Sequence, residues 1–105
     1  MKQTIAHDLP LDLARLAAKA ALAHFQQRFP LSQITPQWLG ADEAIVTFSI
    51  RGFNLKPRIR IRPGAIDVEM DIPLLARPFE GKARARIERE LALWIDKARR
   101  GEITA

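Results

Sequence analysis

The sequence contains no cysteine and no tyrosine, and it has only two histidines. The absence of cysteine excludes disulfides, thiolate nucleophiles and the usual structural zinc sites. No catalytic triad motif is recognisable, and the glycines are scattered at predicted turns and helix ends rather than gathered in a phosphate-binding loop. We therefore expect a protein that is not an enzyme and that binds no cofactor and no metal ion.

The chain also lacks an apolar run near the roughly 20 residues that cross a bilayer, and it lacks a cleavable amino-terminal signal pattern. Both absences favour a soluble, cytoplasmic protein that is not transmembrane. A length of 105 residues fits a single domain over residues 1–105, with a modest core. The formal net charge of +5 permits attraction to nucleic acid, to anionic lipid or to an acidic partner.

What the sequence does contain is a long alternation of charged and apolar residues over residues 56–72. Basic residues alternate with apolar ones before Pro63-Gly64, and acidic residues alternate with apolar ones after it. A period of two indicates strands, so the segment predicts a β-hairpin with one apolar face and one exposed ionic face, which is favoured over a metal site at the carboxylates. The predicted opposed pairs are Ile61–Ile66, Arg60–Asp67, Ile59–Val68, Arg58–Glu69 and Lys56–Asp71.

A further strand before the hairpin carries Val46 and Phe48 on its apolar side. A tight turn around Phe53-Asn54 would connect the two segments. It would set Phe48 opposite Ile59 and Val46 opposite Ile61. Three successive strands would then share one apolar face, which predicts a meander.

Two helices are predicted outside the meander. Residues 11–29 are rich in alanine and leucine and apolar over a wide arc, so this helix should contact both the sheet and the other helix, which covers residues 78–100.

Residues 2–7 predict a short first strand. Pro36 and Pro57 lack an amide donor and should mark an edge, a bulge or a strand end. The predicted fold class is α+β: an antiparallel β-sheet, β-α-β-β-β-β-α in order, with both helices packed on one face, similar to a reduced helix-grip fold.

Neither histidine predicts a catalytic or metal site. His7 lies at a strand-to-helix junction, where an imidazole most often bonds nearby backbone groups. His24 lies on the first predicted helix, and the positions three and four residues after it hold Gln27 and Arg28 instead of metal ligands.

Basic residues recur at three- and four-residue spacing on the second predicted helix, nearly opposite its apolar stripe. A solvated face is the commoner explanation, and docking on anionic lipid, nucleic acid or an acidic protein is the functional one. Nucleic acid is disfavoured because the aromatic residues are assigned to the core, away from the cations. The candidate contacts are Lys82, Arg86, Arg89, Lys97 and Arg100.

A second candidate site is an apolar pocket between a helix and the sheet. Such a pocket would make the chain a carrier of a small apolar ligand. Its predicted lining is Phe48, Met70, Ile87 and Trp94.

Residues 68–82 carry paired leucines at Leu74-Leu75, then Pro78-Phe79 and Gly81-Lys82, and a helix with Ile87 and Leu91 follows. This arrangement resembles the carboxy-terminal signature of the polyhydroxyalkanoic acid system protein family, and the resemblance extends weakly to the start of the chain. The resemblance implies a small bacterial cytoplasmic protein linked to storage of polyhydroxyalkanoate polyester, with no established catalytic residues.

On this basis the leading functional hypothesis is a non-catalytic accessory or binding protein of polyhydroxyalkanoate metabolism, located in the cytoplasm at storage granules. Its partners would be the granule surface or granule proteins. The wide apolar arc of the first helix adds the prediction of a homodimer. The alternatives are the carrier of a small apolar ligand and a nucleic-acid binder that uses the basic carboxy-terminal helix.

Overall fold

The fold is known from a computed structural model that describes residues 1–103. Six strands form one antiparallel sheet in the order β1-β6-β5-β3-β2, with β4 paired to β3. Two short 3₁₀ segments lie at Pro30–Ser32 and Leu74–Phe79. The predicted α+β class is confirmed. The remaining elements in chain order are β1 (Lys2–Ala6), α1 (Leu11–Arg28), β2 (Thr35–Trp38), β3 (Glu43–Ile50), β4 (Phe53–Leu55), β5 (Arg58–Arg62), β6 (Ala65–Glu69) and α2 (Glu80–Arg99).

The β5–β6 hairpin has the predicted register. Arg60 lies opposite Asp67, and the turn at Pro63-Gly64 is closed by Arg62 opposite Ala65. Gly64 has a φ of +84°, which only glycine adopts readily. Of the five predicted pairs, Ile61–Ile66, Arg60–Asp67, Ile59–Val68 and Arg58–Glu69 are confirmed.

The fifth predicted pair, Lys56–Asp71, is wrong. The two paired strands end at Arg58 and Glu69, and Pro57, which precedes Arg58, has no amide hydrogen to extend the ladder. Beyond Glu69, the Met70 N–H donates to the Met1 carbonyl.

The ionic face of the hairpin is real, but its charges pair differently from the prediction. Asp67 Oδ2 lies 2.8 Å from Arg62 Nε, while Arg60 reaches Glu43 on β3 at 3.2 Å. Arg60 lies directly opposite Glu43 in the β3–β5 register, which explains why it pairs with Glu43 instead of Asp67. Glu69 pairs with Lys2 on β1 at 3.6 Å. The ladder is therefore spread over four strands instead of two.

The predicted turn at Phe53-Asn54 is wrong. The chain turns two residues earlier, at Arg51-Gly52, where both residues have positive φ (50° and 83°). Positive φ at both central positions is the signature of a type I′ hairpin turn, and it sets Ile50 opposite Phe53.

The shifted turn also corrects the predicted register between β3 and β5. Ala44, not Phe48, lies opposite Ile59. Val46 lies beside Pro57, whose carbonyl accepts its N–H at 2.9 Å, rather than opposite Ile61. Because the offset between the predicted and observed register is an even number of residues, the apolar side chains stay on the same face.

Both prolines behave as predicted. Pro57 cannot donate to the ladder, and it divides one strand into β4 and β5. Pro36 lies within β2, an edge strand of the sheet. At the opposite edge, the Lys2 carbonyl of β1 accepts a hydrogen bond from Arg84 Nη2 on α2 (3.1 Å).

Both helices pack on the same face of the sheet and against each other. The helix α1 ends one residue before the predicted end. The helix α2 begins at Glu80 rather than at Pro78, because Pro78 lies inside the preceding 3₁₀ segment. Four alanines of α1 are almost completely buried: Ala14, Ala17, Ala18 and Ala21. The wide apolar arc of α1 thus contacts both the sheet and α2, as predicted, so it does not require a second copy of the chain.

Candidate functional site

Four of the five basic candidates lie on α2 and the fifth, Arg100, is its C-cap residue, but their surroundings differ. Arg100 is neutralised, since its guanidinium lies 2.8 Å from Asp96 and 3.2 Å from Glu102. Lys97 is half-buried, with its Nζ 4.6 Å from the centre of the Trp94 ring. The carboxy-terminal half of the predicted stripe is therefore already engaged by neighbours.

The amino-terminal half of the stripe is different. Lys82 and Arg89 are exposed, and neither makes an ion pair with any residue of the described range 1–103. Arg86 is half-buried and holds its guanidinium 5.4 Å from the centre of the Phe29 ring, a cation–π contact that orders the side chain without neutralising it. Uncompensated positive charge is thus concentrated on the first half of α2.

A salt bridge fixes the far end of α2. Arg99 donates two hydrogen bonds to Asp8 Oδ1, at 3.0 and 2.8 Å, and a third to Asp96 at 3.3 Å. The hydrogen bond from Arg99 lowers the pKa of the Asp8 carboxyl group. This contact ties the end of α2 to the loop between β1 and α1.

The four residues of the predicted apolar pocket contribute to the core. Met70 belongs to the buried core cluster, and Phe48, Ile87 and Trp94 pack against it. A surface depression of about 400 Å³ touches Met70, but its other lining is mainly polar and charged, from Lys2, Arg58, Asp71 and their neighbours. A small apolar ligand between helix and sheet would have to displace packed side chains.

His7 bonds backbone groups, as predicted. Its Nδ1 accepts from the Leu9 N–H at 3.1 Å, and its Nε2 lies 3.0 Å from the Arg62 carbonyl oxygen. An acceptor at Nδ1 and a donor at Nε2 fix the neutral tautomer with hydrogen on Nε2. The ring thereby fastens the β1–α1 loop to the β5–β6 hairpin.

A buried pair that was not predicted from the sequence joins the two helices. Glu90 on α2 is only 5% exposed, and its Oε2 lies 2.8 Å from Nδ1 of His24 on α1. The His24 ring also contacts Trp94, with 5.8 Å between ring centroids. A signal was present in the sequence, because Glu90 follows Ile87 by three residues and therefore lies on the apolar stripe of α2.

Two buried polar atoms have no hydrogen-bond partner among the described residues: Nε1 of Trp94, whose ring contacts His24, and Oε1 of Gln3 on β1. The Gln3 amide nitrogen does have a partner, since it donates to the Arg84 carbonyl at 3.0 Å. Within residues 1–103, no three His, Cys, Asp or Glu side chains are close enough together to hold a metal ion.

The described part of the chain contains no helix that is both long and apolar enough to cross a bilayer. The family model of the polyhydroxyalkanoic acid system proteins (PHA_gran_rgn) matches residues 2–94. The chain belongs to this family. The matched range of this polyhydroxyalkanoic acid system protein includes the whole sheet, α1, the His24–Glu90 pair and the first half of the basic stripe; Lys97 and Arg100 lie beyond it. No curated protein and no solved structure matches the chain.

Proposed function

We propose that this polyhydroxyalkanoic acid system protein is a non-catalytic accessory protein that binds at the surface of cytoplasmic polyhydroxyalkanoate granules. Its contacts would be the cations of the first half of α2, Lys82, Arg86 and Arg89. The observation that carries this proposal is the exposed positive charge at Lys82 and Arg89, which no acidic group of residues 1–103 neutralises. Family membership supplies the polyester context.

An anionic coat on the granule would supply the complementary charge. Each lysine or arginine close to an anionic surface contributes about 1 kcal/mol of attraction, so the three cations together contribute about 3 kcal/mol to binding. The Arg86 side chain is already ordered by Phe29, which lowers the entropy lost when it binds.

Nucleic acid is a weaker fit to the same surface. The aromatic rings near the stripe, Phe29 and Trp94, lie beneath Arg86 and Lys97, so they are not open for stacking with bases.

Granule fractionation from a polyester-accumulating host tests this proposal. The variant Lys82→Glu/Arg89→Glu reverses two charges that make no internal ion pair, so it should fold normally and its retention on granules should fall at least about tenfold. The matched control, Lys97→Glu/Arg100→Glu, makes the same charge change on the same helix and should be retained like the natural protein. Equal retention of both variants would exclude the amino-terminal half of α2 as the contact.

A further inference from the structure

Large apolar side chains are exposed together at one end of the molecule, which we call the leucine end. The strands β1, β2 and β5 begin at this end and β3 and β6 finish there, so α1 ends and α2 begins beside them. Leu31 is 94% exposed, Leu74 75% and Leu75 79%. The leucine end consists of Leu31, Ile50, Leu74, Leu75 and Phe79.

Direct contacts join the segments of the leucine end. The Arg51 guanidinium in the β3–β4 turn lies 4.7 Å from the centre of the Phe79 ring, beside Leu74 and Leu75 in the chain. The 3₁₀ segment that holds Leu31 packs against β3. Arg86 of α2 covers Phe29, two residues before Leu31. These contacts place the segments that carry the exposed side chains at the same end of the molecule.

The exposure is concentrated at this end. Leu39, 50% exposed, lies in the β2–β3 connection at the opposite end, and Leu93, 42% exposed, lies midway along α2. Single exposed leucines such as these are ordinary, whereas a cluster of exposed apolar side chains marks an interaction surface.

Unpaired cations surround the leucine end. Five basic residues there make no ion pair within the described residues: Arg28, Arg51, Arg77, Lys82 and Arg86. Acidic residues also lie at this end: Glu80 pairs with Arg84 at 3.8 Å, Glu69 pairs with Lys2 at 3.6 Å, and Asp71 shares a surface depression with Arg77. Near the opposite end, Arg15, Arg62 and Arg99 each pair with a carboxylate, and Lys19 lies 5.3 Å from the centre of the Trp38 ring without an ion pair.

We infer that the leucine end docks on an anionic phospholipid surface, with Leu74 and Leu75 inserted among the acyl chains and the surrounding cations on the lipid phosphates. Exposed leucines within a ring of arginine and lysine match the layered chemistry of such a surface, which is apolar below and negatively charged above. The inference rests on the proposed granule binding and specifies its partner, since Lys82 and Arg86 border both surfaces.

Co-flotation of the full chain with lipid vesicles tests the inference. The natural protein should float with vesicles that contain phosphatidylglycerol and should bind vesicles of pure phosphatidylcholine much more weakly. The variant Leu74→Ser/Leu75→Ser should bind phosphatidylglycerol vesicles at least about tenfold more weakly, because it loses most of its insertable apolar surface. The control Leu39→Ser/Leu93→Ser removes two exposed leucines elsewhere and should bind like the natural protein.

A charge variant separates the two parts of the contact. Replacing Arg51 and Arg77 by glutamine should weaken vesicle binding roughly fivefold for each cation removed, and added salt should abolish the difference. Circular dichroism spectra should be unchanged for all variants, because the altered side chains are exposed.

The outcomes that overturn the inference are distinct. Failure of the natural protein to float with phosphatidylglycerol vesicles, or equal binding by both serine variants, excludes lipid insertion. A natural protein that sediments as a dimer, with Leu74→Ser/Leu75→Ser as a monomer, assigns the leucine end to a second copy instead. Retention on granules after lipid extraction would support the proposed function and exclude the lipid partner. Binding to vesicles by a protein that granules do not retain would support the lipid partner and exclude the proposed function.

Discussion

Replacing the two members of the His24–Glu90 pair should have unequal effects on stability. Glu90 is buried, whereas about a third of the His24 side chain is exposed to solvent. In His24→Ala the Glu90 carboxyl group loses its partner in a site that water does not reach. In Glu90→Leu the imidazole loses its partner but can bond to solvent, and leucine extends the apolar stripe of α2.

The magnitudes follow from this difference in burial. Breaking a buried ion pair from one side costs about 3 to 5 kcal/mol when the remaining group is fully enclosed. Because His24 lies at the solvent boundary, we take a lower value, about 2 kcal/mol, for His24→Ala. Glu90→Leu should cost less than about 1 kcal/mol, because the remaining imidazole can bond to solvent and leucine is apolar at a buried position.

Urea denaturation, followed by tryptophan fluorescence and by circular dichroism, measures both changes. For a domain of this size, about 2 kcal/mol corresponds to a drop in Tm of roughly 10 °C. The fluorescence signal should also shift in His24→Ala, because His24 contacts the Trp94 ring. A result in which Glu90→Leu is as destabilising as His24→Ala would refute this account of the pair, as would a His24→Ala variant with natural stability.

Two further predictions concern the ionic face and the helix interface. The Arg62 hydrogen bond holds the pKa of Asp67 below its ordinary value of 3.8, so the stabilisation by this pair is complete above about pH 4 and is lost as the pH falls through the lower folded-state pKa. Thermal unfolding of Arg62→Gln should depend less steeply on pH in this acidic range than that of the natural protein; identical profiles would contradict the assignment. Ala17 of α1 is completely buried in the core cluster to which α2 also contributes, so Ala17→Leu should lower the free energy of unfolding by about 1 to 3 kcal/mol, whereas Ala23→Leu on the exposed face should change it little. Equal stability of the two leucine variants would mean that the helices can separate without cost.

The β5–β6 hairpin was predictable because two independent patterns agree there. The period-two alternation defines the faces, and the change from basic to acidic residues at Pro63-Gly64 defines the turn. The β3–β4 turn was not predictable in the same way. It places Arg51 at a φ of 50°, a conformation in which arginine is uncommon, so the residue type gave no turn signal.

The candidate site was predictable in position but not in its electrostatics. Helical spacing placed the five cations on one side of α2 and of its C-cap. The pairing of Arg100 with Asp96 and Glu102 and the contact of Lys97 with Trp94 are local in sequence. The contact of Arg86 with Phe29, which follows the end of α1, has no trace in the local sequence. The exposure of Leu74 and Leu75 was equally hidden, because apolar residues beside a helix are usually buried and only tertiary packing decides which are not.

The two margins of the sheet would matter if the proposed granule binding holds many copies side by side. Pro36 removes one amide donor from β2, and Arg84 occupies a carbonyl of β1, so each outer strand offers an incomplete row of hydrogen-bonding groups to a neighbouring molecule. Proteins held side by side at high density are prone to join edge to edge into intermolecular sheets. With both margins blunted, many copies can share one surface and remain separate.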